Sequence, residues 1–391
     1  HLSMSSKTLP SVHLLFALAI LIFPRFTAAS SSCHFPAIYN FGDSNSDTGG
    51  LSAVFGQAPP PNGETFFHHP VGRYCDGRLL VDFIANALGL PFLSAYLDSI
   101  GSNFTHGANF ATAGSTIRPP NSTLRQSGFS PISLDVQWNE FYQFRKRFPT
   151  LHSRGGVFAQ LLPKPWYFSR SLFTFDIGQN DLTSGYFSNM STTEVIASIP
   201  DVLRQFRDVI TFIYGEGGRF FWIHNTGPFG CLAYVLDRLA GLSSPLDKAG
   251  CAVVFNGVAQ LFNEGLHETV RDLRKELPLA QLVYVDVYTA KYELISHAKE
   301  HGFTESLKAC CGHGGKYNFD RNIGCGTKKM INGREVMVAP PCKSPAEFVN
   351  WDGVHYTEAA NKWVFHRIVD GAYSDPRISL KELCLHHSSD L

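Results

Sequence analysis

The chain lacks several things that would commit it to a class. It has no net charge: 33 basic side chains balance 33 acidic ones. No stripe of Lys and Arg is available to neutralise phosphates, which argues against nucleic acid as a partner. No polybasic run is present for an anionic lipid surface either. Beyond Leu14–Phe23 there is no long apolar segment, and that run is too short to span a bilayer, so no stable membrane anchor is expected. The usual α/β-hydrolase nucleophile elbow, G-x-S-x-G, is absent. So is any Cys-x-x-Cys pair, which weakens a zinc reading. No internal repeat or linker divides the chain.

What is present is enough to build a large core: 391 residues, of which 44% are hydrophobic. Phe occurs 32 times, mostly for the core, with some rings available to line an apolar substrate cleft. Lys7, the apolar run Leu14–Phe23 and the small residues Thr27-Ala28-Ala29 read as a secretory signal peptide over residues 1–29, cleaved near Ala29 or Ser30. His1-Leu2-Ser3 ahead of Met4 reads as a cloning or translation artefact. The expected localisation is the secretory pathway, ending outside the cell in the apoplast or in a vacuole. In that oxidising setting most of the nine cysteines should pair, and the odd count leaves one over. Cys75, within GRYCDGR, is the expected unpaired thiol. Zinc held by Cys310, Cys311, His313 and Cys325 is the competing reading of the late cysteines. The sequons at Asn103, Asn121 and Asn189 fit an exported glycoprotein.

Along the chain, short apolar runs alternate with helical spacing. Ala37–Phe41 reads as a buried strand breaking at Gly42. The stretch Gln57–Arg78, rich in Pro, Gly and His, reads as a long loop, with His68 and His69 taken as polar surface. Helical patterns cover Leu79–Leu88, Leu134–Phe148, Thr193–Tyr214, Ala249–Leu277, Tyr288–Lys299 and Glu358–Asp370, and Pro119–Pro131 reads as a loop. Strands are expected at Gly107–Ser115, Ser171–Ile177, Arg219–His224 and Leu282–Asp286, and a disulfide-pinned irregular segment at Gly302–Pro345. This alternation predicts an α/β fold with a mostly parallel sheet covered on both faces, as one domain over 30–391.

Strand ends of a parallel sheet converge on one edge, where open α/β folds place ligands. Three of them offer Ser44, Gly114 and Asn180, and a late loop offers Asp352 and His355, three residues apart. Acyl transfer needs this set of roles. A hydroxyl nucleophile needs a base, the base needs a carboxylate to fix its tautomer, and the tetrahedral oxyanion needs preorganised N–H donors. Ser44 is the candidate nucleophile, His355 the base and Asp352 the orienting acid. The backbone N–H groups of Ser44 and Gly114 and the Asn180 side chain are the candidate oxyanion donors. Each piece also has a structural reading: Ser44 as a helix cap, Asp352 and His355 as a helix entry, Asn180-Asp181 as a turn. Two carboxylates among Asp43, Asp47 and Asp181 would instead suit a glycosidase.

The blocks FGDSNSDTGG, GANFATAGS, FDIGQND and WDGVHYTEAAN resemble, in order, the four blocks of the SGNH/GDSL esterase–lipase superfamily. HNTGPFGC and CCGHGGKYN resemble its secreted plant branch, the group of the early-nodulin-like latex, acetylajmaline and sinapine esterases. The resemblance spans nearly the whole mature chain. It implies a three-layer αβα sandwich, flavodoxin-like in its winding, and a serine-ester mechanism on a small-molecule ester with neither metal nor organic cofactor. By it Ser44, Gly114, Asn180 and His355 take the four name-giving positions, and Asp352 completes the triad. Some plant members pass an acyl group such as a hydroxycinnamoyl to an alcohol instead of water, and degenerate members lose the Ser or the His. Cys75 departs from the pattern, standing where related sequences carry Ser.

Overall fold

A computed structural model of the chain describes residues 34–120, 130–238 and 245–387. The expected signal peptide, Cys33 and the sequon at Asn121 fall outside them. Ten strands occur in the described residues: β1 Ile38–Gly42, β2 Gly107–Asn109, β3 Leu172–Asp176, β4 Phe220–His224, β5 Gln281–Val285, β6 Glu305–Ala309, β7 Lys328–Ile331, β8 Arg334–Met337, β9 Phe348–Asn350 and β10 Ser374–Asp375. The central sheet has the order β10-β5-β4-β3-β1-β2. Its five long-range pairings are parallel except that of β10, which runs antiparallel to β5. Helices stacked against this sheet complete the αβα sandwich.

The middle strands are buried on both faces, which explains why they read as continuous apolar runs rather than alternating ones. One face is a pavement of rings. Phe41 stacks on Phe110 at 5.2 Å and on its register partner Phe175 at 5.0 Å. Tyr39 stacks on Phe168 at 4.9 Å. Phe141, from the helix Leu134–Ser153, meets Phe41 edge-on, and Phe206, from Thr192–Gly215, meets Phe175 in the same way. Such pairs add about 0.5–1.5 kcal/mol each beyond the area they bury. A second helical group joins Leu80–Ala87 to Glu358–Ile368 through Phe83 and Phe365.

Several elements differ from the sequence expectation. The strand foreseen over Gly107–Ser115 is regular only to Asn109. Beyond it Phe110 N–H still donates to Asn40 O and Thr112 N–H to Gly42 O, so pairing continues without strand geometry. The helix foreseen from Ala249 starts at Val253, because Cys251 is bridged to Cys231 and Ala252 N–H is drawn to Gly230 O. Residues 302–345 are not wholly irregular. β6 pairs with β9, and β7 with β8 through an Asn332-Gly333 turn, both residues at positive φ, the conformation two-residue hairpins favour. All but one of the hairpin's strand residues are exposed, so no burial pattern announced it.

The cysteines resolve the metal question against the zinc reading. Cys310 is bridged to Cys342 and Cys311 to Cys325, while His313 Nδ1 lies 2.7 Å from Val338 O. Cys384 is also disulfide-bonded. Among the described residues Cys75 is the free cysteine, and it is buried. No helix among them is long and apolar enough to cross a membrane.

Candidate active site

The loop that leaves β1 is built around buried amide–carboxylate contacts. Gly42 ends the strand, and the Gln137 side chain takes its N–H at 3.0 Å and donates to its C=O at 2.8 Å. A Cβ at Gly42 would stand 2.6 Å from Asp176 O, so only glycine lets β1 and β3 deliver their ends side by side. Asp43 N–H then donates to Asp176 O. Below the loop, Asn40 bonds Asn109 at 2.7 Å and Thr174 donates to Asn40 at 2.7 Å. Asn109 Nδ2 in turn holds Ser46 O at 2.6 Å. Asp47 accepts four backbone N–H groups, from Gly49, Gly50, Leu51 and Ala113, at 2.6–3.1 Å. Burial pushes its pKa up and these donors pull it back, with a net rise. One carboxylate thus ties the Ser44 loop to the loop carrying Gly114.

Gly114 has φ 80°, a left-handed conformation suited to glycine. Asn180 lies in the first turn of the helix Gln179–Phe187, where the competing structural reading expects a turn at Asn180-Asp181. Its Nδ2 donates to Ser115 O at 2.9 Å and lies 3.4 Å from Asp43 Oδ2. The next residue, Asp181, accepts Ile117 N–H at 2.7 Å and Arg118 N–H at 3.1 Å. Burial raises its pKa to about 6 despite those donors. Ser44, Gly114 and Asn180 are therefore borne by three loops that Asp43, Asp47 and Asp181 connect.

Asp352 and His355 form the tightest polar pair of the late loop. Asp352 Oδ1 accepts the N–H of Val354 and of His355, and Oδ2 lies 2.6 Å from His355 Nδ1. Burial pushes the Asp352 pKa up, but the His355 charge and these donors outweigh it and hold the carboxyl below its ordinary value. In the neutral imidazole the carboxylate favours the tautomer with the proton on Nδ1, and Nε2 is then the ring nitrogen that can accept one. Nε2 is buried and has no hydrogen-bond partner. The Tyr74 ring lies 5.7 Å from the imidazole. Next to this pair, Trp351 Nε1 donates to Asn62, and Glu358 receives Arg78 through both backbone and guanidinium.

A buried charge cluster beside the loop was not legible in the sequence. His224 Nδ1 lies 3.0 Å from Asp176 Oδ2, at the ends of β4 and β3. Lys291, from the helix Val287–Ser296, is buried, and burial lowers its pKa against the pull of Asp176 and Asp43. Burial and the like charge of Asp176 raise Asp43 to about 7. The available signals are a histidine closing an apolar strand and a lysine within a helical pattern, and neither distinguishes these buried groups from side chains that face water. His68 and His69 are exposed, as expected, and so are Asn103 and Asn189.

The family model described as GDSL-like Lipase/Acylhydrolase matches residues 38–368. The chain is 59% identical to a GDSL esterase/lipase of Zea mays named ACHE, over 92% of each chain. It is 58% identical to an Arabidopsis thaliana protein named Alpha-L-fucosidase 3, over 93% of this chain and 97% of that one. It is 51% identical to an esterase of Hevea brasiliensis, over 96% and 95%. With the fold and these matches together, the chain belongs to the GDSL-like lipase/acylhydrolase family and is a carboxylic-ester hydrolase.

Proposed function

We propose that Ser44 carries the acyl group of an ester through a covalent intermediate, with His355 and Asp352 as its base and orienting acid. His355 Nε2 takes the Ser44 proton as Oγ bonds to the ester carbonyl. The N–H groups of Ser44 and Gly114 and the Asn180 amide face the oxyanion, and one such donor contributes about 3–4 kcal/mol to the barrier. His355 returns the proton to the departing alcohol, and water then repeats the sequence on the acyl-enzyme. The observation that carries this reading is the state of His355, with Nδ1 fixed on Asp352 and Nε2 buried without a partner.

Ser44→Ala should lower release of p-nitrophenol from a short acyl ester by about 10⁴-fold or more. Wild-type activity in that variant excludes the assignment. Labelling of the wild type by a fluorophosphonate probe, lost in Ser44→Ala, separates an enzyme from a non-catalytic glycoprotein.

The proposed substrates are esters of plant specialised metabolites or short acyl and lipid esters. Transfer to an alcohol would use the same residues, and product analysis with alcohol acceptors present separates it from hydrolysis. A two-carboxylate glycosidase reading is less well supported, although one relative is named a fucosidase. Asp47 and Asp181 already accept buried backbone amides with both of their oxygens. Export with glycans at Asn103, Asn121 and Asn189 completes the proposal, supported by the apolar leader and by the disulfides.

A further inference from the structure

A groove of about 610 Å³ opens where the helix Val253–Glu276, the start of the helix Val287–Ser296 and β10 come together. None of the residues assigned to the triad or the oxyanion donors lines it. Its inner end is Asn225, directly after β4. Ser44 lies past the end of β1, two strands across, which is about 10 Å at the usual strand spacing. The groove is therefore a neighbour of the catalytic crevice and not part of it.

Its floor is fixed. The Asn225 amide donates to the Tyr284 hydroxyl at 2.8 Å and to Asp286 at 2.9 Å, and its oxygen accepts Tyr288 N–H at 2.8 Å. Both N–H donors of this amide and one lone pair of its oxygen are engaged, which fixes its orientation. The rim is different. The side chains of Gln260, Glu264 and Arg377 and the Tyr288 hydroxyl make no hydrogen bond to the described protein, although all four line the groove. Planar amide, carboxylate and guanidinium groups can each bracket two neighbouring hydroxyls. Tyr284 and Tyr288 line the groove as largely buried residues, the Tyr284 ring lying 4.6 Å from that of His267 and the Tyr288 ring stacking on that of Tyr292.

The charge pattern narrows the ligand. Glu264, Asp286 and Asp375 face the groove, and Asp375 is matched by Arg274 at 2.9 Å and by His267 at 2.6 Å. Among the described residues lining the groove, two carboxylates then stand against the one unpaired cation, Arg377, which disfavours an anion. The polar rim and floor disfavour an acyl chain, because it would strip water from groups that it cannot bond. A neutral molecule that carries several neighbouring hydroxyls satisfies such a wall. We propose that this groove is a binding site for a short neutral saccharide, held by Gln260, Glu264, Arg377 and the Tyr288 hydroxyl. This assignment does not depend on the ester mechanism.

The test is calorimetric or NMR titration of the whole protein with xylotriose, cellotriose and galactotriose, with trigalacturonate and decanoate as controls. Saturable binding of at least one neutral trisaccharide at millimolar concentration is expected. Gln260→Trp, which fills the mouth from an exposed position, should weaken it at least ten-fold, as should Glu264→Ala combined with Arg377→Ala. Tyr288→Phe should weaken it a few-fold. All of these variants should hydrolyse p-nitrophenyl acetate as the wild type does, which shows that they are folded. No saturation by any of the three neutral probes overturns the proposal. Binding that Gln260→Trp leaves unchanged, or binding of trigalacturonate or decanoate in their place, overturns it too.

Discussion

The loop after β1 and the segment around Asp352–His355 are held by different means. The first carries an internal tie, since Asp47 gathers the amides of Gly49, Gly50 and Leu51, its own successors, and that of Ala113, while Gln137 at Gly42, Asp176 at Asp43 and Asn109 at Ser46 grip it from outside. The second keeps its acid–base pair within three residues but takes its support from far along the chain. Asn350 O and Trp351 O accept Cys310 N–H and Cys311 N–H, Trp351 leans on Asn62, and Glu358 is gripped by Arg78. A loop that carries its own scaffold can be read from a short motif. A loop scaffolded by distant residues gives up its chemistry in the motif and its stability only in the fold.

The comparison is sharpened most by removing the internal carboxylate. Asp47→Ala leaves four amides without their acceptor, and at about 1–3 kcal/mol for each unsatisfied group the loss is several kcal/mol. Denaturant unfolding should show that loss together with collapse of esterase activity. Retention of near-wild-type stability would mean that the loop is supported from elsewhere. Arg78→Ala tests the external scaffold. The partly buried ion pair with Glu358 has side chains only 19% and 11% exposed, so a smaller loss of about 1–3 kcal/mol is expected. Activity should fall without disappearing. A loss as large as that of Asp47→Ala would erase the distinction between the regions.

Acidity divides the same two regions. Asp43 is raised to about 7, chiefly by burial and then by Asp176. A carboxyl raised on folding stabilises below its unfolded value and loses that contribution as pH rises. Stability should therefore decline from about pH 4 toward pH 7 on account of Asp43, and Asp43→Asn should flatten that slope in pH-dependent thermal unfolding. Asp352 is held below its ordinary value, so its contribution has the opposite sign. It is present above that value and is lost as pH falls through the lowered one. An Asp43→Asn profile identical to that of the wild type would remove Asp43 from this contrast. The smallest effect belongs to Cys75. Burial pushes its thiol well above the ordinary value, with Asp76 adding to the rise. In the native protein a water-soluble maleimide should leave it unmodified, with reaction only after unfolding. Rapid native labelling would show that the Gly77 side of the 57–78 stretch opens readily.

The sequence was legible where physics is local. β1, β3, β4 and β5 announced themselves as apolar runs because a parallel sheet buries both faces, and Ser44, Asn180 and His355 sat in blocks with a recognisable order. The two-residue β10 has no such run, and the β7–β8 hairpin, being nearly all exposed, has no burial period. Its one visible signal was Asn332-Gly333. Asp176, His224 and Lys291 meet only because β3, β4 and a later helix deliver them to one point, and no spacing in the chain encodes that meeting. The 249–252 boundary was missed because a disulfide and one backbone bond overrode helical spacing.

The placement of Tyr74 against the His355 ring gives the 57–78 stretch a second significance. That stretch is bolted through Arg78 to Glu358, which opens the helix following the histidine. A change that reshapes this stretch for a bulkier guest therefore also disturbs a neighbour of the His355 ring, and on the proposed mechanism turnover and fit drift together. Selectivity adjusted without harm to the chemistry has to be written on walls that do not touch the imidazole.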